Sequence, residues 1–220
     1  MAEFTGLNPE EARMQIGNFF EEISITSWNF CEFGMDSFIN GLKTAWCSPK
    51  AKEFGEKYFP KLYAIYDNCL TTATNICISA VAAYNYLATS NNTQTMSADR
   101  FENGKQKELI ESKKGMLLDE ISPNGVVGMN VAQVKMYLEV FKGNVDTFIK
   151  DMTSIRDNVD IAFYDPNGEM KAAYKTLIQK LIDNVTDLTS SMYTDLYHAF
   201  NDETDTILLA KDNAASTMAG

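Results

Sequence analysis

An all-α fold, two long antiparallel helical hairpins closing into an elongated four-helix bundle, is predicted by three features of the sequence. Apolar residues recur three and four apart along four long stretches, the spacing that collects them on one face of a helix. Two corners, Cys47-Ser48-Pro49 and Asp165-Pro166, interrupt that periodicity with a cap residue followed by proline. A polar segment with turn signals, residues 91–128, separates the pair of stretches before it from the pair after it. The expected organisation is a hairpin over 1–90, a connector over 91–128 and a second hairpin over 129–220 with a flexible C-terminal tail.

The first helix is expected to start at Asn8-Pro9-Glu10-Glu11, where Asn8 can cap, Pro9 suits the first helical position and Glu11 completes a capping box. Its stripe is Trp28, Cys31, Met35, Phe38, Leu42 and Ala45. Earlier residues, Ile16, Phe19, Phe20, Ile23, Ile25, Phe30 and Phe33, are apolar on more than one side, so this helix needs neighbours on two flanks. Pro49 pushes Ser48 out of helical backbone and ends the helix. Ser48 as cap and Pro49 as first residue then begin the second one.

That helix carries Phe54, Tyr58, Leu62, Ile65, Cys69, Thr72, Ile76, Ala80, Ala83 and Leu87, and the phase persists beyond Pro60, which should bend it without ending it. The connector could hold a short helix around 106–118, and Pro123-Asn124-Gly125 marks a turn. Asn130 and Gln133 open the third helix, with Val131, Val134, Leu138, Phe141, Val145, Phe148, Met152, Ile155 and Val159 as its stripe. Asp165 as cap and Pro166 as restart should begin the fourth, with Met170, Tyr174, Ile178, Leu181, Val185, Leu188 and Met192, fading after Phe200.

The two halves align with each other. A shift of 117 carries Trp28, Cys31, Met35, Phe38, Leu42 and Trp46 onto Val145, Phe148, Met152, Ile155, Val159 and Phe163. A shift of 116 carries the second stripe onto the fourth, so one deletion in the turn reconciles them. Amphipathic helices align easily; the matching aromatic, cap and proline at both corners favour a duplication. Helices of about 37 residues would make rods ~55 Å long.

Function classes narrow by exclusion. A net charge of −11 and a pI near 4.6 oppose general nucleic-acid binding, which needs clustered Lys and Arg, and oppose attraction to anionic membranes. The N-terminal stretch has no basic region, apolar core or small-residue cleavage site of an ordinary secretory signal. Four cysteines, Cys31, Cys47, Cys69 and Cys77, are too few for a disulfide scaffold and read as core residues, with a Cys31–Cys69 pairing left open by their similar heights on facing helices.

No enzyme activity, cofactor or metal is expected. His198 is the single histidine, no phosphate-loop, nucleophile-elbow or zinc motif is present, and Asn201–Asp205 lacks EF-hand spacing. The stretch from Asn68 to Ala98 has no charged residue and is long enough to cross a bilayer, yet Thr71, Thr72, Thr74, Asn75, Ser79, Asn85 and Asn91 are costly in lipid. It is either a central bundle helix or the membrane-active segment of an α-helical pore former. Trp46 and Phe163, at the corners, either plug their own hairpins or pack on another.

The corner Leu42–Leu62, "LKTAWCSPKAKEFGEKYFPKL", resembles the turn of the WXG family, helical hairpins of roughly a hundred residues exported by type VII secretion systems of Gram-positive bacteria. It is similar to members with Trp-x-Ser in place of Trp-x-Gly: Trp46 matches the tryptophan and Ser48 stands for the glycine. Residues 8–90 carry the resemblance, and 130–205 look like a degenerate second copy with Phe163-Tyr164-Asp165 at the corner. The resemblance implies export without a cleaved signal, hairpins pairing into four-helix bundles, and a role as secreted substrate or as escort of a toxin. Its partners would be another WXG-like or toxin protein, or a second copy, together with the secretion machinery. Trp46, Ser48, Pro49, Phe163 and Pro166 would form the turn and partner-binding motif. The family's Tyr-x-x-x-Asp/Glu export signal is not matched cleanly, because Tyr197 is followed by Asn201 at the fourth place and Asp202 one beyond. An ordinary cytosolic scaffold is the third reading.

Overall fold

The computed structural model describes residues 8–101, Leu118 and 127–218, with side chains as far as Asp202. The suggested helix around 106–118 and the turn at 123–125 lie outside the described residues, Leu118 excepted. In chain order the elements are α1 (Pro9–Asn29), a π-helical turn (Phe30–Met35), α2 (Asp36–Ala45), β1 (Trp46–Cys47), α3 (Pro49–Ser90), a 3₁₀ turn (Asp99–Phe101), β2 (Gly128–Met129), α4 (Val131–Asn158) and α5 (Glu169–Met218). The fold is all-α, with four long rods and one two-residue strand pair among the described residues.

Local chemistry sets the ends of the rods. Asn8 caps α1 by accepting from the amides of Glu10 and Glu11 at 3.0 and 3.3 Å. Ser48 Oγ accepts from Ala51 N at 3.1 Å and Pro49 is the first residue of α3. Asn130 Oδ1 accepts from Gln133 N at 3.2 Å to start α4. Pro60 lies inside α3 without ending it, its exposed ring placing the lost hydrogen bond on the solvent side.

The first rod is not one regular α-helix. Across Phe30–Met35 the backbone widens, with Asp36 N bonding to Cys31 O five residues back. The extra residue changes the phase of the stripe. Phe30 and Phe38 are eight apart, which in a regular helix turns them by roughly 80°. One residue absorbed in the π turn makes the interval behave as two full turns. Both rings therefore stack on Phe141, at 6.0 and 4.4 Å between centroids, and Phe30 also stacks on Phe148 at 4.6 Å.

The rods form a closed square: α1 and α2 touch α3 and α4, and α5 completes the ring between α3 and α4. The two hairpins thus pack on each other around one core that includes all predicted stripe positions except the partly buried ones at Trp28, Thr72, Ala83, Leu87, Val131, Met170 and Leu188. Ile25 and Phe33, expected on a buried flank, are instead 50% and 65% exposed, because the neighbouring rods cover only the faces around Ile23 and Phe30. All four cysteines are buried as thiols, and no Cys31–Cys69 disulfide is formed. Burial pushes the Cys69 and Cys77 thiols up to about 12, out of reach of thiolate chemistry near neutrality. The C-terminal stretch after Phe200, expected as a tail, is helical to Met218.

The connector also packs. From the end of α3 it returns along that helix: Asn85 holds Met96 through both backbone groups, donating to Met96 O at 2.9 Å and accepting from Met96 N at 2.8 Å. Phe101 is buried against Phe20, 5.5 Å between rings, and Leu118 is buried beside Gly55. The chain then re-enters as β2 beside the first corner, Trp46 opposite Met129 and Cys47 opposite Gly128.

Close approach of α2 and α4 depends on Gly41, where a β-carbon would stand 2.6 Å from Cγ of the Tyr137 ring. Alanine normally gains about 1 kcal/mol over glycine inside a helix. Here overpacking of about 1–3 kcal/mol opposes that gain, so Gly41→Ala is expected to lower the urea midpoint, and adding Tyr137→Ala should restore the ordinary preference for alanine. A more stable Gly41→Ala single variant would contradict the packing.

Candidate interaction site at the Trp46 end

The corner of the first hairpin is built from residues in extended backbone. Trp46 has φ −145° and ψ 115°, and Ser48 has φ −167° and ψ 166°. Such a corner leaves amides and carbonyls to be satisfied. β2 and Asn130 satisfy part of that need, with Asn130 N donating to Ala45 O at 2.7 Å.

Trp46 does not project into solvent. It is 1% exposed and among the largest fully buried side chains, with its ring 5.4 Å from Phe54, which in turn meets Tyr58 at 5.0 Å and Phe59 at 6.2 Å. Of the two alternatives open at this corner, Trp46 plugs its own hairpin, with its ring on Phe54, and β2 pairs beside it, so that it belongs to the interior. Of the predicted motif, Ser48 is buried as a cap and Pro49 is exposed.

Beyond the tryptophan a groove of about 320 Å³ runs between α3 and α5, lined by Lys50, Phe54, Lys57, Asp195, His198 and Asp202. Two lysines of α3 meet two aspartates of α5, Lys50 with Asp202 at 2.7 Å and Lys57 with Asp195 at 2.5 Å. Tyr58 OH donates to Asp195 Oδ2 at 2.7 Å, 3.1 Å from Ser191 O. Asp195 is held below the usual carboxylate range, first by Lys57 and then by the Tyr58 hydroxyl, and Asp202 is lowered by Lys50. Burial, followed by the hydrogen bond to Asp195, raises Tyr58. Exposure of the lysines leaves each bridge screened and individually weak. His198 is exposed in this groove. Among the described residues no group of three or more His, Cys, Asp or Glu side chains is disposed to hold a metal ion.

The second corner is made differently. Pro166 does not restart a helix: residues 165–168 form a turn closed by Gly168 N to Asp165 O at 3.2 Å, with Gly168 at φ +71°, and α5 begins at Glu169. Asp165 still caps, reaching across the turn to accept from Met170 N and Lys171 N at 3.0 and 2.9 Å. Gly168 has no side chain to do so, and the carboxylate is lowered by these amides, that of Lys171 first. Phe163 is half-buried, edge-on to Tyr84 of the first hairpin at 5.9 Å. Each corner aromatic thus packs on its own bundle, Trp46 at one end and Phe163 at the other.

Tyr197 and Asp202 both lie at the Trp46 end, and the helix separates them. Five residues rotate a side chain by roughly 140° around an α-helix, against roughly 40° for a four-residue interval. Tyr197 accordingly faces α4, where its hydroxyl meets Lys142 Nζ at 2.8 Å, while Asp202 faces α3 and Lys50. Sequence reasoning placed Tyr58 on the buried stripe but did not single out Lys50, Lys57 or Asp195, because pairings that span more than 130 positions have no local signature.

Of the described helices none is long and apolar enough to cross a membrane. In the uncharged 68–98 stretch, Cys69, Ala73, Ile76, Cys77, Ala80 and Tyr84 face the core, while Thr71, Asn75 and Ser79 face solvent. No protein-family model, curated protein or solved structure matches this chain.

Removing the Trp46 ring should cost about 3–5 kcal/mol as a large-to-small core change, a large share of the roughly 5–15 kcal/mol that holds a domain folded. Trp46→Ala is therefore expected to unfold at much lower urea; an unchanged midpoint would remove the ring from the core. For Asp195, a lowered folded pKa means the carboxylate stabilises the fold above its unfolded value, near pH 4, and that this contribution disappears as pH falls through the folded value. The melting-temperature gap between the parent and Asp195→Asn should thus be widest at neutral pH and close towards about pH 3. A gap that does not vary with pH would contradict the bridge.

Proposed function

We propose that this protein works without catalysis, through helix–helix contacts with other proteins, as a substrate of a type VII secretion system or as the escort of one. The observation that carries this reading is the pairing within one chain of two antiparallel hairpins around a Trp-x-Ser-Pro corner. Separate hairpins that pair must overcome the loss of translational and rotational freedom, about 4–15 kcal/mol. A covalent connector converts that step into an intramolecular one, so the bundle is complete before any partner arrives.

The Tyr197–Asp202 spacing bears on how such a protein would leave the cell. With the tyrosine and the acid turned to different faces of α5, a bundled partner supplying the export signal is the simpler route. The membrane-active alternative draws no support from helix hydropathy.

The test is secretion. Tagged protein produced in a Gram-positive host with an active type VII system should accumulate in the medium, alone or with a co-expressed neighbouring partner. It should stay in the cell when the system is disabled. Equal retention in both strains, with a partner supplied, would overturn the assignment.

A further inference from the structure

The charge-free stretch from Asn68 to Ala98 does not scatter when the chain folds. Its helical part is the outer ridge of α3, where Thr71, Asn75, Ile78, Ala82, Tyr86 and Thr89 are exposed at helical spacing. Its remainder is laid back against the same helix by the paired Asn85–Met96 bonds and by Tyr84 OH donating to Gln94 O at 3.1 Å. A segment without a formal charge thus becomes one continuous surface, in a chain that has 19 basic and 30 acidic residues. Ile78 and Tyr86 leave 46% and 59% of themselves in water on it. Tyr86 also meets the half-exposed Tyr164 at 5.0 Å, extending the surface to the second corner.

We propose that this ridge is a self-association surface: a second copy of the chain docks on it, α3 against α3, antiparallel about a two-fold axis near Ser79. The argument is electrostatic. In a two-fold contact the same patch faces itself, so any net charge on the patch opposes its own image. A chain of net charge −11 meets that cost over most of its surface. None of the exposed ridge residues is charged; Asp67, Asp99 and Arg100 flank the stretch in sequence, and Arg13 of α1 lies near Tyr84 at its side. A different partner would impose no such neutrality; a positive patch would suit an acidic protein's face better.

Side-chain size agrees with the crossing point. Ser79 and Ala82 are small, so two helix axes can approach closely there, with Ile78 and Tyr86 filling the space on either side. The ridge from Asn68 to Ser90 is ~35 Å long at ~1.5 Å per residue. A single helix face of that length buries on the order of 1,000 Å² in total, the lower limit for a specific interface. The dimer is accordingly weak, with a dissociation constant in the micromolar range, and it leaves the Trp46 end free for the partner invoked above.

Sedimentation velocity of the full chain over about 1–300 µM tests this directly. The parent protein should shift from monomer towards dimer across the series. Ala82→Glu, which sets a carboxylate on each side of the crossing, should weaken association at least tenfold with an unchanged circular dichroism spectrum. Phe33→Glu, on an exposed position of the π turn far along the chain, should associate as the parent does. A parent monomeric throughout, an Ala82→Glu variant that dimerises equally, or loss of association in Phe33→Glu would each overturn the proposal. Should Ala82→Glu fold poorly, Ser79→Cys decides: mild oxidation should give a disulfide-linked dimer on a non-reducing gel, because the four native thiols are buried. Absence of that dimer counts equally against the two-fold contact.

Discussion

The stacking of Phe30, Phe38, Phe141 and Phe148 across the seam between the hairpins is the contact from which the rest of the structure follows. Each hairpin alone would leave a continuous apolar stripe in water. At about 25 cal/mol per Å² of apolar surface, an exposed stripe several turns long is untenable for a soluble domain. Aromatic rings are the efficient way to cover it, since each removes much area and constrains only two torsions. The stacking in turn requires the π turn at Phe30–Met35, without which Phe30 and Phe38 would point in different directions.

Once that seam is set, the ends of the bundle are determined by it. Antiparallel docking brings the first corner beside the start of α4 and the Asp195–Asp202 stretch of α5, and brings the second corner against the end of α3. Trp46 then lies where three segments converge and is enclosed. Phe163 meets only the tapering end of α3 and remains partly open. The two corners, similar in sequence, acquire different burial because the chain passes beside one of them a second time, as β2.

Surface chemistry is divided along the same lines. The α3–α5 seam near Trp46 sets lysines on one rod against aspartates on the other, in exposed bridges that are individually weak. Further along α3 the charges cease. An acidic protein that presents one long neutral ridge has a face suited to contact with like surfaces, whereas its charged end suits contacts whose register must be exact.

The sequence by itself determined the number of rods, their caps at Asn8, Ser48 and Asn130, and the faces that would be buried, because helix periodicity and capping act over three or four residues and are written locally. It also marked 68–98 as a stretch without charge. The tertiary structure alone decided that Trp46 is interior and that Ile25 and Phe33 are not. It decided the π turn, which no spacing rule anticipates because the regular stripe continues on both sides of it. It moved Pro166 out of the helix, where the Asp165–Gly168 turn completes the cap more favourably than an abrupt restart. The seam and the enclosure of Trp46 rest on contacts between distant residues, such as Phe30 with Phe141 and Trp46 with Met129, which leave no trace in any short window of the chain.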